Sequence, residues 1–101
     1  ERFAQAASSY VVAHDRDNPE QARLFHLIDF HETPKTGEAA MVAQIQSLHL
    51  RLFGHRIAAD GPEVAANLEL WDDLYEVSLT IEDAWAGLLT VLLRDPDFLF
   101  Y

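Results

Sequence analysis

The chain has 101 residues, of which half are apolar and about a quarter are charged, as expected for one globular domain. Its 17 acidic residues outnumber its 7 Lys and Arg residues, giving a formal net charge of −10. This charge argues against nucleic acid or an anionic membrane as a partner, because phosphate groups bind surfaces with excess positive charge. The sequence has no cysteine, which excludes disulfides, thiolate metal sites and cysteine nucleophiles within this segment.

The acidic excess is concentrated in the second half of the chain. From Asp60 onward there are ten carboxylates and a single basic residue, Arg94. Such a distribution is typical of a solvated acidic face that keeps a protein soluble, and it also suits electrostatic docking of a basic partner. No apolar run reaches the length of a membrane span, and no signal peptide is present. Because the first residue is Glu1 rather than Met, we expect an excised or processed segment of a larger protein, and the compartment stays open.

Residues 2–14 are predicted to form the first helix. Apolar and aromatic side chains recur there at steps of three and four residues, in one stripe that consists of Phe3, Ala6, Ala7, Tyr10, Val11 and His14. The helix should end before Pro19, because the residue that precedes a proline avoids helical angles. Asn18 and Pro19 are a favourable N-cap and first residue for a second, short helix that runs to about His31. Its dense apolar residues are Leu24, Phe25, Leu27 and Ile28.

A third helix is predicted over residues 38–53, with Thr33 and Thr36 as the alternative N-caps. Its apolar face consists of Met41, Val42, Ile45, Leu48, His49, Leu52 and Phe53. Its other faces carry Gln44, Gln46, Ser47 and Arg51. The apolar residues recur with the period of a helix that is buried on one side. Gly54 stands where a helix takes a left-handed C-terminal cap.

Two further helices are predicted from their N-terminal signals. Asp60 as N-cap, Pro62 in the first turn and Glu63 at the third position indicate the start of the fourth helix. Its buried stripe consists of Val64, Leu68, Trp71, Tyr75 and Ser78, and Leu70 and Leu74 flank this stripe. Thr80 followed by Asp83 indicates the start of the fifth helix by the same capping pattern. Its broad apolar face consists of Ala84, Trp85, Leu88, Leu89, Val91 and Leu92, before Pro96 ends the helix.

The predicted fold class is all-α. No stretch alternates apolar and polar residues as a half-buried strand would, and no internal repeat or low-complexity tract is present. We predict a single domain over residues 1–101, built as a compact bundle of about five short helices. The last three helices are expected to form the core, because they carry the most regular apolar stripes.

His26, Asp29 and His31 are the weak candidates for metal ligands. On a helix, positions 26 and 29 would share one face, but position 31 would lie well away from it. Two ligands three residues apart can begin a metal site, and a closed site needs further ligands from elsewhere. The alternative is two structural histidines near a helix end, where the helix dipole favours a cation. His49 is interpreted as a core histidine and His55 as an exposed one, from their positions relative to the third helix.

An acidic face on the fourth helix is the second candidate site. It consists of Glu69, Asp72, Asp73 and Glu76. Bundles that hold carboxylate-bridged metals also use Glu-x-x-His motifs, which this sequence lacks. A solvated face opposite the apolar stripe explains the four carboxylates without a metal. The serines have no nucleophile elbow and the four glycines form no phosphate-binding loop, so we predict no catalytic residue, no cofactor and no assigned metal site.

The chain ends in an aromatic cluster that consists of Phe98, Leu99, Phe100 and Tyr101. In water this cluster would form an apolar patch, and aromatic side chains commonly anchor interfaces. Either the cluster covers the core of its own chain, or it is an interface with a neighbouring domain or a second copy of the chain. The prediction assigns these four residues to an interface.

Three stretches of the second half carry a resemblance to a known family. They are Leu-Arg-Leu-Phe-Gly-His-Arg-Ile at 50–57, Asp-Gly-Pro-Glu-Val at 60–64, and Ala-x-x-Gly-Leu-Leu-x-x-Leu-Leu-x-x-Pro-x-Phe-Leu-x-Tyr at 84–101. They resemble a small helical domain of unknown function in large exported proteins of the planctomycete and myxobacterial type, often linked to a c-type cytochrome domain. Asp95 stands where that family has a serine. The resemblance covers residues 48–101, implies an exported or periplasmic location, and transfers no catalytic residue.

The sequence therefore favours a non-catalytic helical module for scaffolding or protein interaction within a larger, exported protein. Its partner would be a neighbouring domain or a second copy, bound through residues 98–101. The alternative is a helical domain that binds a small ligand or metal through His26, Asp29 and His31, or through the acidic face at 69–76. Metal titration followed by a thermal melt separates the two hypotheses, because a ligand that binds the native state raises Tm.

Overall fold

The computed structural model describes the backbone of residues 2–95 and the side chains of residues 4–95. In this range the regular structure is four α-helices and one 3₁₀ turn, with no strand. In chain order these are α1 (Arg2–Asp17), the 3₁₀ turn Pro19–Gln21, α2 (Glu38–Phe53), α3 (Pro62–Ser78) and α4 (Ile81–Leu93). The all-α prediction is confirmed, but the described residues form four helices rather than about five. None of these helices is long and apolar enough to cross a lipid bilayer.

α4 is the central helix of the bundle, because it packs against both α1 and α3. The fully buried indole of Trp85 makes edge contacts with the ring of Phe25, at 5.5 Å between centroids, and with that of Trp71, at 5.9 Å. The prediction that the last three helices form the core is therefore incomplete. Val12 of α1, together with Phe25 from the connector that follows it, belongs to the same apolar cluster.

α1 confirms the first predicted helix and continues it by three residues, to Asp17. The stripe that it buries differs from the predicted one and consists of Ala4, Ser8, Val12 and Asp15. Tyr10 was predicted on the buried stripe but is 61% exposed, with its ring stacked on that of His14. The helix is rotated from the predicted orientation because Asp15 points inward to bind the backbone of another segment. An apolar pattern does not reveal such a contact.

The second predicted helix is wrong. Pro19 begins only one 3₁₀ turn, and residues 22–37, called the connector below, contain no helix. The side chain of Asn18 does not cap this turn and instead donates to the carbonyl oxygen of His14 at 3.0 Å. Phe25 is buried, as dense apolar residues suggested, but it reaches the core from irregular backbone. The connector needs no helix because side chains from α1 and α2 satisfy its backbone polar groups.

Gln44 of α2 supplies part of this support. Its Oε1 accepts the backbone N–H of Leu27 at 3.0 Å, and its Nε2 donates to the carbonyl oxygen of Leu24 at 2.8 Å. Gln44 was predicted to lie away from the buried face, but its side chain is fully buried, so this prediction is wrong. Its amide takes the place of hydrogen bonds that a helical connector would have made internally.

α2 has the predicted bounds and buries the predicted residues Met41, Ile45, Leu48 and Leu52. Its N-cap is Gly37, without a side-chain hydrogen bond, rather than Thr33 or Thr36. The two threonines bond to each other instead, since the hydroxyl of Thr36 accepts the backbone N–H of Thr33 at 2.9 Å. This local turn ends before α2 begins, so neither hydroxyl reaches the free N–H groups of the helix.

The start of α4 follows the predicted capping pattern, while the start of α3 does not. The hydroxyl of Thr80 accepts the backbone N–H of Asp83 at 3.2 Å. α3 begins at Pro62, but its N-cap is Gly61 rather than Asp60, and no side chain caps it. Leu79 and Thr80 alone separate the two helices, so α3 and α4 form a tight antiparallel pair.

Candidate functional site

The candidate metal ligands His26, Asp29 and His31 lie in the connector and not on a helix, and all three are exposed. Asp29 Oδ1 accepts the backbone N–H of His31 at 3.2 Å, which forms a local turn. A hydrogen bond with the carboxyl group of Glu32 lowers the pKa of Asp29. Within the part of the chain that the structure describes, no three His, Asp or Glu side chains converge as metal ligands. The structure therefore does not assemble this candidate site.

The acidic face of α3 is fully solvated. It consists of Glu69, Asp72, Asp73 and Glu76, all of them exposed. Lys35 of the connector lies near one edge of this face, where it lines a hollow of about 330 Å³ together with Asp72 and Glu76. Among the described residues, no ion pair involves any of the four carboxylates. Their negative charge is therefore presented to solvent largely uncompensated.

A cavity of about 650 Å³ opens at the C-terminal end of α2. The helix ends there because Gly54 takes a left-handed conformation, with φ of 72°, as predicted. The N–H groups of Gly54 and His55 donate to the carbonyl oxygens of Leu50 and His49, which closes the last turn. The cavity is lined by His49, Phe53, Gly54, His55, Arg56, Ile57, Glu63 and Asp95.

Two histidines flank the ring of Phe53 in this cavity. The centroid of Phe53 lies 5.4 Å from that of His49 and 6.0 Å from that of His55. Nε2 of His49 lies 2.7 Å from Oδ1 of Asn67, so this half-buried histidine has the partner expected of a core residue. His55 is exposed, as predicted. Because one arginine and two carboxylates also line the cavity, its charges favour no single class of ligand.

Two apolar side chains project from the corner between α3 and α4. Val77, in the last turn of α3, is 86% exposed, and Leu79, directly after the helix, is 75% exposed. Leu79 has φ of 64°, and its N–H donates to the carbonyl oxygen of Tyr75 at 2.8 Å. A leucine in this left-handed conformation is unfavourable, because its Cβ crowds the following carbonyl group. The corner therefore combines backbone strain with apolar exposure.

Along the junction of the two helices the apolar side chains Leu74 and Leu70 are half-buried and pack against the core. A side chain at Gly87 would lie 2.9 Å from a methyl group of Leu74, so the two helices approach closely at this point. In the antiparallel register that this contact sets, the turn that carries Val91 lies beside the turn that carries Leu70. Val91 was predicted to be buried but is 46% exposed. We call Leu70, Leu74, Val77, Leu79 and Val91 the α3–α4 seam.

Carboxylates border the seam. α3 and α4 contain no Lys, Arg or His, and their acidic residues are Glu63, Glu69, Asp72, Asp73, Glu76, Glu82 and Asp83. Glu69, Asp73 and Glu76 flank the seam on α3, and Asp83 lies near its other side on α4. Arg16 of α1 reaches the margin of this region, with its Nη1 3.8 Å from Glu82. The seam is thus an apolar surface within an acidic border.

The exposure of the seam was not predicted: Leu70 and Leu74 were expected beside the apolar stripe of α3 and Val91 on the buried face of α4, and Val77 and Leu79 had no assignment. Val77 and Leu79 lie at a helix end, where no periodic pattern assigns a side chain to the surface or to the core. The positive φ of Leu79 gives no sequence signal, because glycine or asparagine is the usual residue in that conformation. The predicted interface residues Phe98, Leu99, Phe100 and Tyr101 lie outside the described residues.

Comparisons with known proteins leave the family of the chain open. No family model matches its sequence, and no curated protein and no solved structure matches it either. The resemblance of residues 48–101 to a domain of large exported proteins therefore remains a sequence-based expectation.

Proposed function

We propose that this chain is a non-catalytic helical module that binds another protein through the α3–α4 seam. The observation that carries the proposal is the conformation and exposure of Leu79. Its side chain contributes little to the core, and its left-handed backbone costs roughly 1–2 kcal/mol relative to an ordinary conformation. Folding alone would favour glycine at this position, as found at Gly54. An apolar residue held outward against a folding penalty is what a docking contact requires.

Val77 supports the same proposal. A β-branched apolar residue that is 86% exposed in the last turn of a helix gains almost nothing from burial in the free chain. Val91, which is 46% exposed on α4, and the half-buried Leu70 and Leu74 add apolar area to the seam. The proposal places the module in a larger, exported protein, on the resemblance alone. Residues 98–101 remain a second predicted interface.

Binding of a small ligand is the second candidate function. The cavity beside His49 and His55 favours it, because a hollow of about 650 Å³ with aromatic and ionisable lining residues is of the size that small molecules occupy. A thermal-melt screen with divalent metals and small aromatic or anionic compounds tests it. A rise in Tm that is lost in the His49→Leu variant would support this function over the first, and no rise with any compound would reject it.

Photo-cross-linking tests the protein-interaction function directly. A photoreactive amino acid is placed at Val77 or Leu79 of the natural full-length chain, in the cells that make it. The matched control position is Leu50, which is 40% exposed on α2. We expect one discrete cross-linked protein from positions 77 and 79 and none from position 50. No cross-linked protein at 77 and 79, or the same products at position 50, would reject the seam as an interface.

A further inference from the structure

We infer that the segment bound by the α3–α4 seam is a basic amphipathic helix of a partner protein. This inference rests on the proposed function and specifies the chemistry of the partner. Three observations support it: the shape of the apolar surface of the seam, the negative charge at its border, and the negative charge of the alternative binding partners.

The shape of the seam suits a helix. Leu70, Leu74 and Val77 follow one another along α3 at steps of four and three residues. The approach of Gly87 to Leu74 places the turn of Val91 beside that of Leu70. Seven residues of helix span about 10 Å, so this ridge matches roughly two turns of a partner helix with apolar residues at i, i+3 or i+4, and i+7. Binding of an extended peptide by strand addition would need an open strand edge, and the described residues contain no strand.

The acidic border of the seam favours a partner that has basic residues. Glu69, Asp73 and Glu76 are exposed, and no ion pair reaches them from the described side chains, residues 4–95. An apolar partner without charge would leave Glu69 and Asp73 near a desolvated surface with no counter-charge, which is unfavourable. Lys or Arg residues on both sides of an apolar stripe would pair with them and would also accelerate association.

The other candidate occupants of the seam carry negative charge, which disfavours their binding to an acidic border. A second copy of the chain would bring two acidic borders together, and each copy carries a net charge of −10. The C-terminal segment of the same chain contributes Asp95 and Asp97 after Arg94 and no further basic residue. Lipid and nucleic-acid surfaces are anionic and would be repelled as well. A basic protein segment is the occupant whose charge complements the seam.

The probe for the test is a synthetic helical peptide of about three turns, with leucine at i, i+3, i+4 and i+7 and lysine elsewhere. Two control peptides accompany it: one with the same composition in a scrambled order that destroys the apolar stripe, and one with glutamate in place of lysine. Their affinities for the full chain are measured by titration calorimetry at low and at physiological salt. We expect the amphipathic lysine peptide to bind roughly tenfold more tightly than either control, with an affinity that falls as salt rises.

Two pairs of variants locate the binding surface. Val77→Ser with Val91→Ser is compared with Leu50→Ser, which removes a similarly exposed leucine elsewhere. The second comparison uses two double variants. The seam variant combines Glu69→Gln and Asp73→Asn. Its control combines Glu20→Gln and Glu38→Gln, which changes the net charge equally at exposed positions away from the seam. We expect each seam variant to lose roughly tenfold in affinity and each control variant less than about twofold.

Several results would overturn the inference. Equal binding of the scrambled peptide would mean bulk charge attraction, and equal binding of the glutamate peptide would mean that the acidic border has no role. Unchanged affinity in the seam variants would place binding elsewhere on the chain. If light scattering shows a dimer of the chain, and Val77→Ser converts this dimer to a monomer, the occupant of the seam is a second copy. The cross-linking experiment is independent of these titrations: a product with another protein from position 77 would uphold the proposed function even if this inference fails, whereas a product with a second copy of the chain would overturn both.

Discussion

The carboxylate of Asp15 accepts the backbone N–H of Phe25 at 2.8 Å, and this bond joins α1 to the irregular connector. The N–H groups of Arg23 and Leu24 donate to the same carboxylate, each at 2.9 Å, and Nδ1 of His14 lies 3.0 Å from it. Burial alone would raise the pKa of Asp15, but these hydrogen bonds outweigh burial and lower the pKa below its ordinary value. The carboxylate of Asp15 thus satisfies three backbone N–H groups of the connector, and Gln44 satisfies two further backbone groups.

Asp15→Asn should destabilise the fold by about 3 kcal/mol, because the asparagine NH₂ group would face backbone donors that then lose their acceptor. The free energy of unfolding is measured by denaturant titration. Asp17→Asn is the matched control, since Asp17 is exposed and, among the described side chains, forms an ion pair with the adjacent Arg16 at 3.0 Å. It should change stability by less than about 1 kcal/mol. Equal effects of the two substitutions would contradict the role assigned to Asp15.

The stability of the chain should decrease in acid through Asp15. Its folded-state pKa lies below the ordinary value of 3.8, so the unfolded chain binds the proton more readily. The stabilisation by the carboxylate is therefore fully present above about pH 4 and is lost as the pH falls through the folded-state pKa. Unfolding free energies are measured against pH for the parent and for Asp15→Asn. The difference in unfolding free energy between the parent and Asp15→Asn should become smaller as the pH falls. A difference that does not change with pH would contradict the prediction.

Trp85→Ala should weaken the fold by about 3–5 kcal/mol, because it removes a fully buried indole that contacts Phe25 and Trp71. Thermal or denaturant melts give the change in stability. Val91→Ala on the same helix is the control and should have a much smaller effect, since Val91 is 46% exposed. If the Trp85→Ala variant melts like the parent, the register assigned to α4 is wrong.

Leu79→Gly should leave the fold intact and raise its stability by about 0.5–1 kcal/mol. Relief of the left-handed conformation outweighs the greater backbone entropy of glycine in the unfolded chain. Gly54→Ala makes the opposite change at the other left-handed cap, φ 72°, and should lower stability by about 1 kcal/mol. Both effects are read from denaturant midpoints. A loss of more than about 1 kcal/mol in Leu79→Gly would make Leu79 a folding residue and would remove the main support for the interaction function.

Glu69→Gln combined with Asp73→Asn should leave stability unchanged or raise it by up to about 0.5 kcal/mol. The two carboxylates are exposed and stand four residues apart on α3, where like charges repel. Chemical denaturation measures the effect, with Asp15→Asn as the contrasting buried carboxylate. A loss above about 2 kcal/mol would show that the pair is ligated or ion-paired, and would favour a metal-binding function over a docking surface.

Local sequence signals predicted a large part of the fold. The bounds of α2 follow from its apolar period and from Gly54, and the start of α4 follows from Thr80 and Asp83. These signals are reliable because a helix stripe, a left-handed glycine and a capping hydroxyl each act within about one helical turn. The predicted capping role of Asp60 failed, because Gly61 occupies the N-cap and no side chain bonds there.

The amino-acid sequence by itself determined the all-α class, the acidic surface and most helix bounds, because these depend on composition and on neighbours close along the chain. Only the tertiary structure decided the rotation of α1, the irregular path of the connector and the exposure of the seam. Asp15 and Gln44 are polar, and their burial depends on backbone donors and acceptors that folding brings to them from 8 to 20 residues away. The left-handed conformation of Leu79 likewise depends on the close antiparallel packing of α4 against α3. No local sequence pattern predicts how closely these two helices pack.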